Sequence, residues 1–192
     1  MRALSEYSPW QSEMAVTASL LKLDLLSDKK IVEYNHYLLD NEYYDHEMLS
    51  IIDDDPIYPR GNKEAFQRAI FNLGFPDINT EQAKWIYTYQ IINKHTVQPE
   101  NYNILDNGEA GLYYKFEEFF SYDNNLQDVD GFTNSLYCID EAVGDKYMGY
   151  VQRGYNDPKT LFALKRDFFK ICHLWLSRNQ PRIKSIFEAL YA

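Results

Sequence analysis

Residues 8–40 read SPWQSEMAVTASLLKLDLLSDKKIVEYNHYLLD, and this stretch decides the fold class. Ser8, Pro9 and Gln11 stand in the order of a helix start: a capping hydroxyl, a proline at the first helical position, and an amide placed to reach back to the cap. Trp10, Met14, Ala18, Leu21 and Leu25 follow at three- and four-residue spacing, the apolar stripe of a helix predicted to run to about Leu26. Ser27 and Asp28 cap a second helix, with Ile31, Tyr34 and Leu38 on one face and Asp28 and Glu33 on the exposed side, stopping near Asn41.

The same grammar continues outward. Asp45 caps a short third helix through Met48, Leu49 and Ile52, which Asp53-Asp54-Asp55-Pro56 ends because the residue before proline avoids helical dihedrals. A loop over residues 56–61 leads to a fourth helix opened by Asn62, carrying Phe66, Ala69, Ile70 and Leu73, with Gly74 at the left-handed C-cap position. Thr80 opens a fifth, carrying Ala83, Ile86, Tyr87 and Ile91. Residues 96–108, with Pro99 and several asparagines, read as a long loop. Residues 109–122 read as helix and 123–131 as an acidic connection. Within 134–150, Leu136 to Ile139 suits a strand start while Ile139, Val143 and Tyr147 keep helical spacing. Asp157-Pro158 starts a helix through Leu161, Leu164, Phe168, Ile171 and Trp175, and Pro181 begins a last one through Ile183, Phe187 and Leu190. The expectation is an all-α, single-domain bundle of about eight amphipathic helices over residues 1–192, with any minor β structure confined to the Tyr-rich middle, since aromatics also favour strands.

The chain has 192 residues, 29 acids and 19 bases, a formal charge of −10, with 17 Tyr, 11 Phe and 3 Trp. That aromatic content is too high for intrinsic disorder, and the length suits one core. The charge is polarised: residues 1–145 hold 26 acids and 10 bases, net −16, and residues 146–192 hold 3 acids and 9 bases, net +6. Two stretches dominate. Residues 41–59 carry Glu42, Asp45, Glu47, Asp53, Asp54 and Asp55 with no lysine or arginine; residues 96–145 carry 11 acids against Lys115 alone. Such runs often serve solubility alone. Here tyrosines are interleaved, and tyrosine supplies rigid amphipathic contact area while carboxylates steer a basic partner. A phosphate backbone is bound through lysine and arginine, so this balance disfavours direct nucleic-acid binding. The C-terminal bases, Lys165 to Lys184, are expected to cover polar helix faces and pair with acids elsewhere.

Local chemical motifs are missing. His46-Glu47 opens like HExxH, but Ser50 occupies the second histidine position, so the paired imidazoles of a zinc site are absent. A calcium loop starting at Asp123 would need glycine where Asp128 stands and glutamate where Asn134 stands. No phosphate-cradling or nucleophile-elbow motif occurs. Cys172-His173 are consecutive helical residues pointing about 100° apart, not a dyad. Cys138 and Cys172 lack metal or disulfide spacing and read as buried thiols. Glu117-Glu118 and Asp140-Glu141 are adjacent acids rather than facing pairs. No catalytic residue, metal site or cofactor follows. Met14 to Leu21, the uncharged run nearest the start, is far short of the ~20 residues a span needs, and residues 1–9 lack a secretory h-region, which gives the expectation of a cytoplasmic protein with no membrane partner.

Residues 18–27, ASLLKLDLLS, followed by Ile31-Val32-Glu33-Tyr34 and then Asp53-Asp54-Asp55-Pro56, look like the opening helical repeat of some helical immunity families. The whole chain, acidic and aromatic-rich, resembles in type the immunity proteins of bacterial polymorphic-toxin and contact-dependent inhibition systems. The resemblance covers about the first third. It implies a non-enzymatic, one-to-one complex with a cognate basic toxin, often a nuclease, whose active site or substrate surface the acidic face covers. The candidate contact residues are Asp53, Asp54, Asp55, Tyr58, Tyr113, Glu117, Glu118, Tyr122, Asp123, Asp128 and Asp130. The competing readings are a phage-type inhibitor that mimics nucleic acid or occludes a defence nuclease, and a small metal-dependent hydrolase assembled from distant residues.

Overall fold

The computed structural model of the chain describes residues 7–52, 62–97 and 158–192. These residues are mostly helical and contain no strand. Among the described residues there are six helices, against eight expected over the whole chain: α1 (Pro9–Lys22), α2 (Asp28–Asp40), α3 (Glu47–Ile52), α4 (Asn62–Asn72), α5 (Thr80–Val97) and α6 (Pro158–Leu190). The predicted helix over 109–122, and the ambiguous segment 134–150, lie outside the described residues. The chain divides into two compact units, Met1–Tyr87 with Arg182–Ala192, and Thr88–Pro181.

The caps explain where the helices start. Ser8 accepts from the Gln11 N–H at 3.1 Å and the Gln11 side chain accepts from the Ser8 N–H at 3.0 Å, a closed capping box. Ser27 caps α2, accepting from the Lys30 N–H. α5 opens at Thr80 as expected, with Asn79 as its cap: Asn79 Oδ1 accepts from the Gln82 N–H at 2.9 Å and Gln82 Oε1 accepts from the Asn79 N–H at 3.1 Å.

The C-termini share one device. After α1, the Asp24 N–H donates to the Leu21 carbonyl and the Leu25 N–H to the Leu20 carbonyl; after α2, Glu42 donates to Leu39 and Tyr43 to Leu38; after α4, Gly74 donates to Phe71 and Phe75 to Ile70. Each is a Schellman pair around a residue of positive φ: Asp24 (59°), Glu42 (66°) and Gly74 (79°). Each is followed by an apolar residue, Leu25, Tyr43 or Phe75. α1 therefore ends four residues before the predicted Leu26, because Asp24 takes the left-handed turn usually left to glycine.

Two other boundaries differ. The helices expected on either side of Pro181 are one, α6, with Pro181 inside it. Buried Cys172, Trp175, Ile183 and Phe187 keep helical phase through the proline, and continued burial outweighs the roughly 3 kcal/mol of an interior proline. α5 runs through Thr96 and Val97, placed in a loop by the sequence; Thr96 is buried four residues after fully buried Ile92 and donates its hydroxyl to the Asn93 carbonyl at 2.8 Å.

In the first unit, Met14, Leu21, Ile31, Leu38, Met48, Ile51, Phe66 and Ile70 form the centre of one apolar cluster, with α3 packed on α2 and α4, and α2 on α4. Trp10 closes one side, stacked on Tyr43 at 4.0 Å and meeting Phe75 edge-on at 5.7 Å. Phe66 and Phe187 are essentially solvent-free, worth about 2–3 kcal/mol each in transferred surface. The C-terminal turn is held by Arg182, which lies 4.4 Å over the Trp85 ring and reaches Glu81 at 2.5 Å, and by the Tyr191 hydroxyl, which donates to the Gln11 carbonyl. No described helix is long and apolar enough to cross a membrane.

Candidate partner-binding surface

All eleven candidate contact residues lie outside the described residues: Asp53, Asp54, Asp55 and Tyr58 in 53–61, and Tyr113, Glu117, Glu118, Tyr122, Asp123, Asp128 and Asp130 in 98–157. The first half of the acidic stretch 41–59 is described, and its acids have unequal roles. Asp45 starts α3: its Oδ1 accepts from the Glu47 N–H at 3.0 Å and its Oδ2 from the Asn72 side chain at 3.0 Å. Glu47 pairs with Arg68 of α4 at 2.8 Å, and that guanidinium holds the Glu47 carboxyl below its usual range. The stretch that lacks bases in sequence thus receives one from α4.

Asp40 and Glu42 differ. Both are exposed and neither holds an ion pair among the described residues. Beside them the tyrosines divide: Tyr43 turns inward onto Trp10, whereas Tyr44 is 60% exposed. Leu49, on α3, is 48% exposed. The α2–α3 corner therefore offers two unpaired carboxylates, a free tyrosine ring and an apolar side chain, and α3 leads directly in sequence to Asp53. His46 is largely exposed and stands 3.6 Å from both Asp45 and Glu47.

A second feature was missed by the sequence reading. Between α1 and α2 lies an open groove of about 460 Å³ with a floor of Leu20, Leu25 and Leu26, walled by Tyr34 and Tyr37, with Glu13, Lys30 and Glu33 at its rim. That volume is within the range of about 300–1,000 Å³ typical of ligand sites. The Tyr37 hydroxyl donates to Glu13 Oε2 at 3.1 Å, and this bond raises the Tyr37 pKa. Lys30 is held by Glu33 at 2.6 Å, with Lys29 at 4.0 Å. The available signal was the spacing of Lys30, Glu33, Tyr34 and Tyr37 at i, i+3, i+4 and i+7, which puts a mixed polar and aromatic edge beside the core stripe. A smaller cavity of about 290 Å³ between α1 and α4 is bordered by Lys22, Lys63, Asp77 and the exposed Phe71.

Within α6, Arg166 and Lys170 pair with Asp167 and Lys184 with Glu188, while Arg182 pairs with Glu81 of α5. Cys172 is fully buried as read from sequence, and burial pushes its thiol pKa well up, so it is a poor thiolate source. No cluster of three or more histidine, cysteine or acidic side chains suited to a metal occurs among the described residues. The chain matches no protein-family model, no curated protein and no solved structure.

Proposed function

We propose that this chain is a non-enzymatic inhibitor that binds and neutralises a cognate basic protein toxin in the cytoplasm, of nuclease type, through an acidic, tyrosine-bearing surface. The observation that carries the reading is Glu42. It is an exposed, unpaired carboxylate held at φ 66°, in a left-handed conformation that glycine would take at lower energy. A charge kept in a strained turn, flanked by unpaired Asp40 and exposed Tyr44, suits a surface retained for contact rather than for stability.

In this reading the corner acts together with Asp53, Asp54 and Asp55, which follow α3 in sequence, and carboxylates and tyrosines act as in other charge-steered interfaces: the acids accelerate encounter and the rings supply buried area. The test is affinity capture from the native host, washed at low and then high salt, with bound proteins identified by mass. One stoichiometric basic protein, released by salt and inhibited by the chain, is expected. Absence of a partner at either salt, or turnover of a small molecule by the chain itself, would refute it.

A further inference from the structure

We propose that the α1–α2 groove is a docking site for a basic amphipathic segment of the partner protein, with an arginine stem on the leucine floor and its guanidinium on Glu13. The inference rests on the reading that the partner is a basic protein, and adds a second surface to the α2–α3 corner.

Three observations point to this occupant. Leu20, Leu25 and Leu26 in the lining suit an aliphatic stem, and Tyr34 and Tyr37 line the same groove, where tyrosine favours a cation. Glu13 is already oriented: Tyr37 donates to Oε2, which leaves Oε1 for an incoming donor. The charges at the rim are not equivalent. Glu33 is shared by Lys30 at 2.6 Å and Lys29 at 4.0 Å, whereas Glu13 has no cationic partner among the described residues, so Glu13 is the carboxylate of the groove left without an ion pair. Arginine fits this arrangement better than lysine, because its planar fork shares a carboxylate with another donor and stacks on aromatic faces. An acidic or neutral segment would leave the Glu13 charge unmatched in a partly apolar site.

The arrangement makes opposite-signed demands on two exposed-rim residues. Glu13→Gln removes the anchor, and Lys30→Gln removes a repelling ammonium and frees Glu33. The probe is a capped hexapeptide, Leu-Arg-Leu-Leu-Arg-Leu, and its analogue with both arginines replaced by glutamine, titrated into the isotopically labelled full chain and followed by NMR. The arginine peptide is expected to shift the signals of Glu13, Leu20, Tyr34 and Tyr37 and the glutamine peptide to leave them in place. Glu13→Gln should weaken binding about fivefold or more and Lys30→Gln should tighten it about twofold. Shifts confined to other surfaces, no shift at millimolar peptide, or the same affinity in both variants would overturn the assignment. Capture of a basic partner whose affinity ignores Glu13→Gln would overturn the groove and leave the inhibitor reading standing. Groove binding by the arginine peptide with no partner captured would support the groove and sink the inhibitor reading.

Discussion

The Tyr37 hydroxyl donates to the Glu13 carboxylate at 3.1 Å, a tie between α2 and α1 across the mouth of an apolar groove. The bond to a carboxylate raises the Tyr37 pKa above the ordinary tyrosine value. A folded pKa above the unfolded one contributes stability that is complete below about pH 10 and is lost as pH rises through the folded value. Glu13→Gln should bring the Tyr37 titration back toward 10, read from its ring signals by NMR. A Tyr37 pKa indifferent to that change would show that the bond does not persist in solution.

Tyr191 gives a second alkaline signature. Burial pushes its pKa up to about 12, and its hydroxyl donates to the Gln11 carbonyl. Stability from this group is intact below pH 10 and declines between about 10 and 12. Tyr191→Phe should lower the melting temperature at pH 8 and flatten its fall between those limits. An unaltered slope would remove Tyr191 from the account.

The three left-handed caps make a paired prediction. Glu42→Gly relieves a non-glycine φ of 66° and should stabilise by about 0.5–1 kcal/mol, whereas Asp24→Gly relieves a φ of 59° but also removes the ion pair of Asp24 with Lys63 and should gain less. Gly74→Ala imposes the same strain and should cost about 1 kcal/mol, through the backbone alone, since a Cβ there meets nothing within 4 Å. Denaturant midpoints decide it. A destabilised Glu42→Gly variant would contradict the claim that this charge is held against a conformational preference.

Tyr43 and Tyr44 should separate stability from binding. Tyr43→Ala removes the 4.0 Å stack on Trp10 and should destabilise by about 2–4 kcal/mol. Tyr44→Ala, at a position 60% exposed, should alter stability by no more than about 0.5 kcal/mol yet weaken partner binding. Equal effects of the two on thermal unfolding would place Tyr44 in the core.

Pro181→Ala restores an N–H four residues after Ser177 within α6 and should stabilise by about 1–3 kcal/mol in a melting experiment. A loss of stability would mean that the proline geometry is itself used in packing.

These residues also mark what the sequence made legible. Capping hydroxyls, helical apolar spacing and Gly74 located α1 to α5, because those signals are local. Asp24 hid the end of α1, since nothing in an acidic side chain announces a left-handed turn, and the apolar Leu25 beyond it was the readable trace; the end of α2 near Asn41 was legible although Glu42 gave no sign of its own left-handed turn. Pro181 misled because a local rule for helix starts was outweighed by burial on both sides of it. In and beside the acidic stretch, composition alone could not separate Asp45 and Glu47, tied to Asn72 and Arg68 from α4, from Glu42 and the preceding Asp40, which hold no ion pair among the described residues. The groove at Glu13 and Tyr37 was invisible for the same reason: it joins residues 24 positions apart.

The most direct test of the central claim is the association rate of the chain with its captured partner as ionic strength rises from about 10 mM to about 150 mM. Over that interval the screening length falls from about 30 Å to about 8 Å. Electrostatic inhibition predicts a rate that drops roughly tenfold or more, and a comparable drop at low salt when Asp40, Glu42, Asp53, Asp54 and Asp55 are reversed to lysine. A rate indifferent to salt and to those reversals would contradict it.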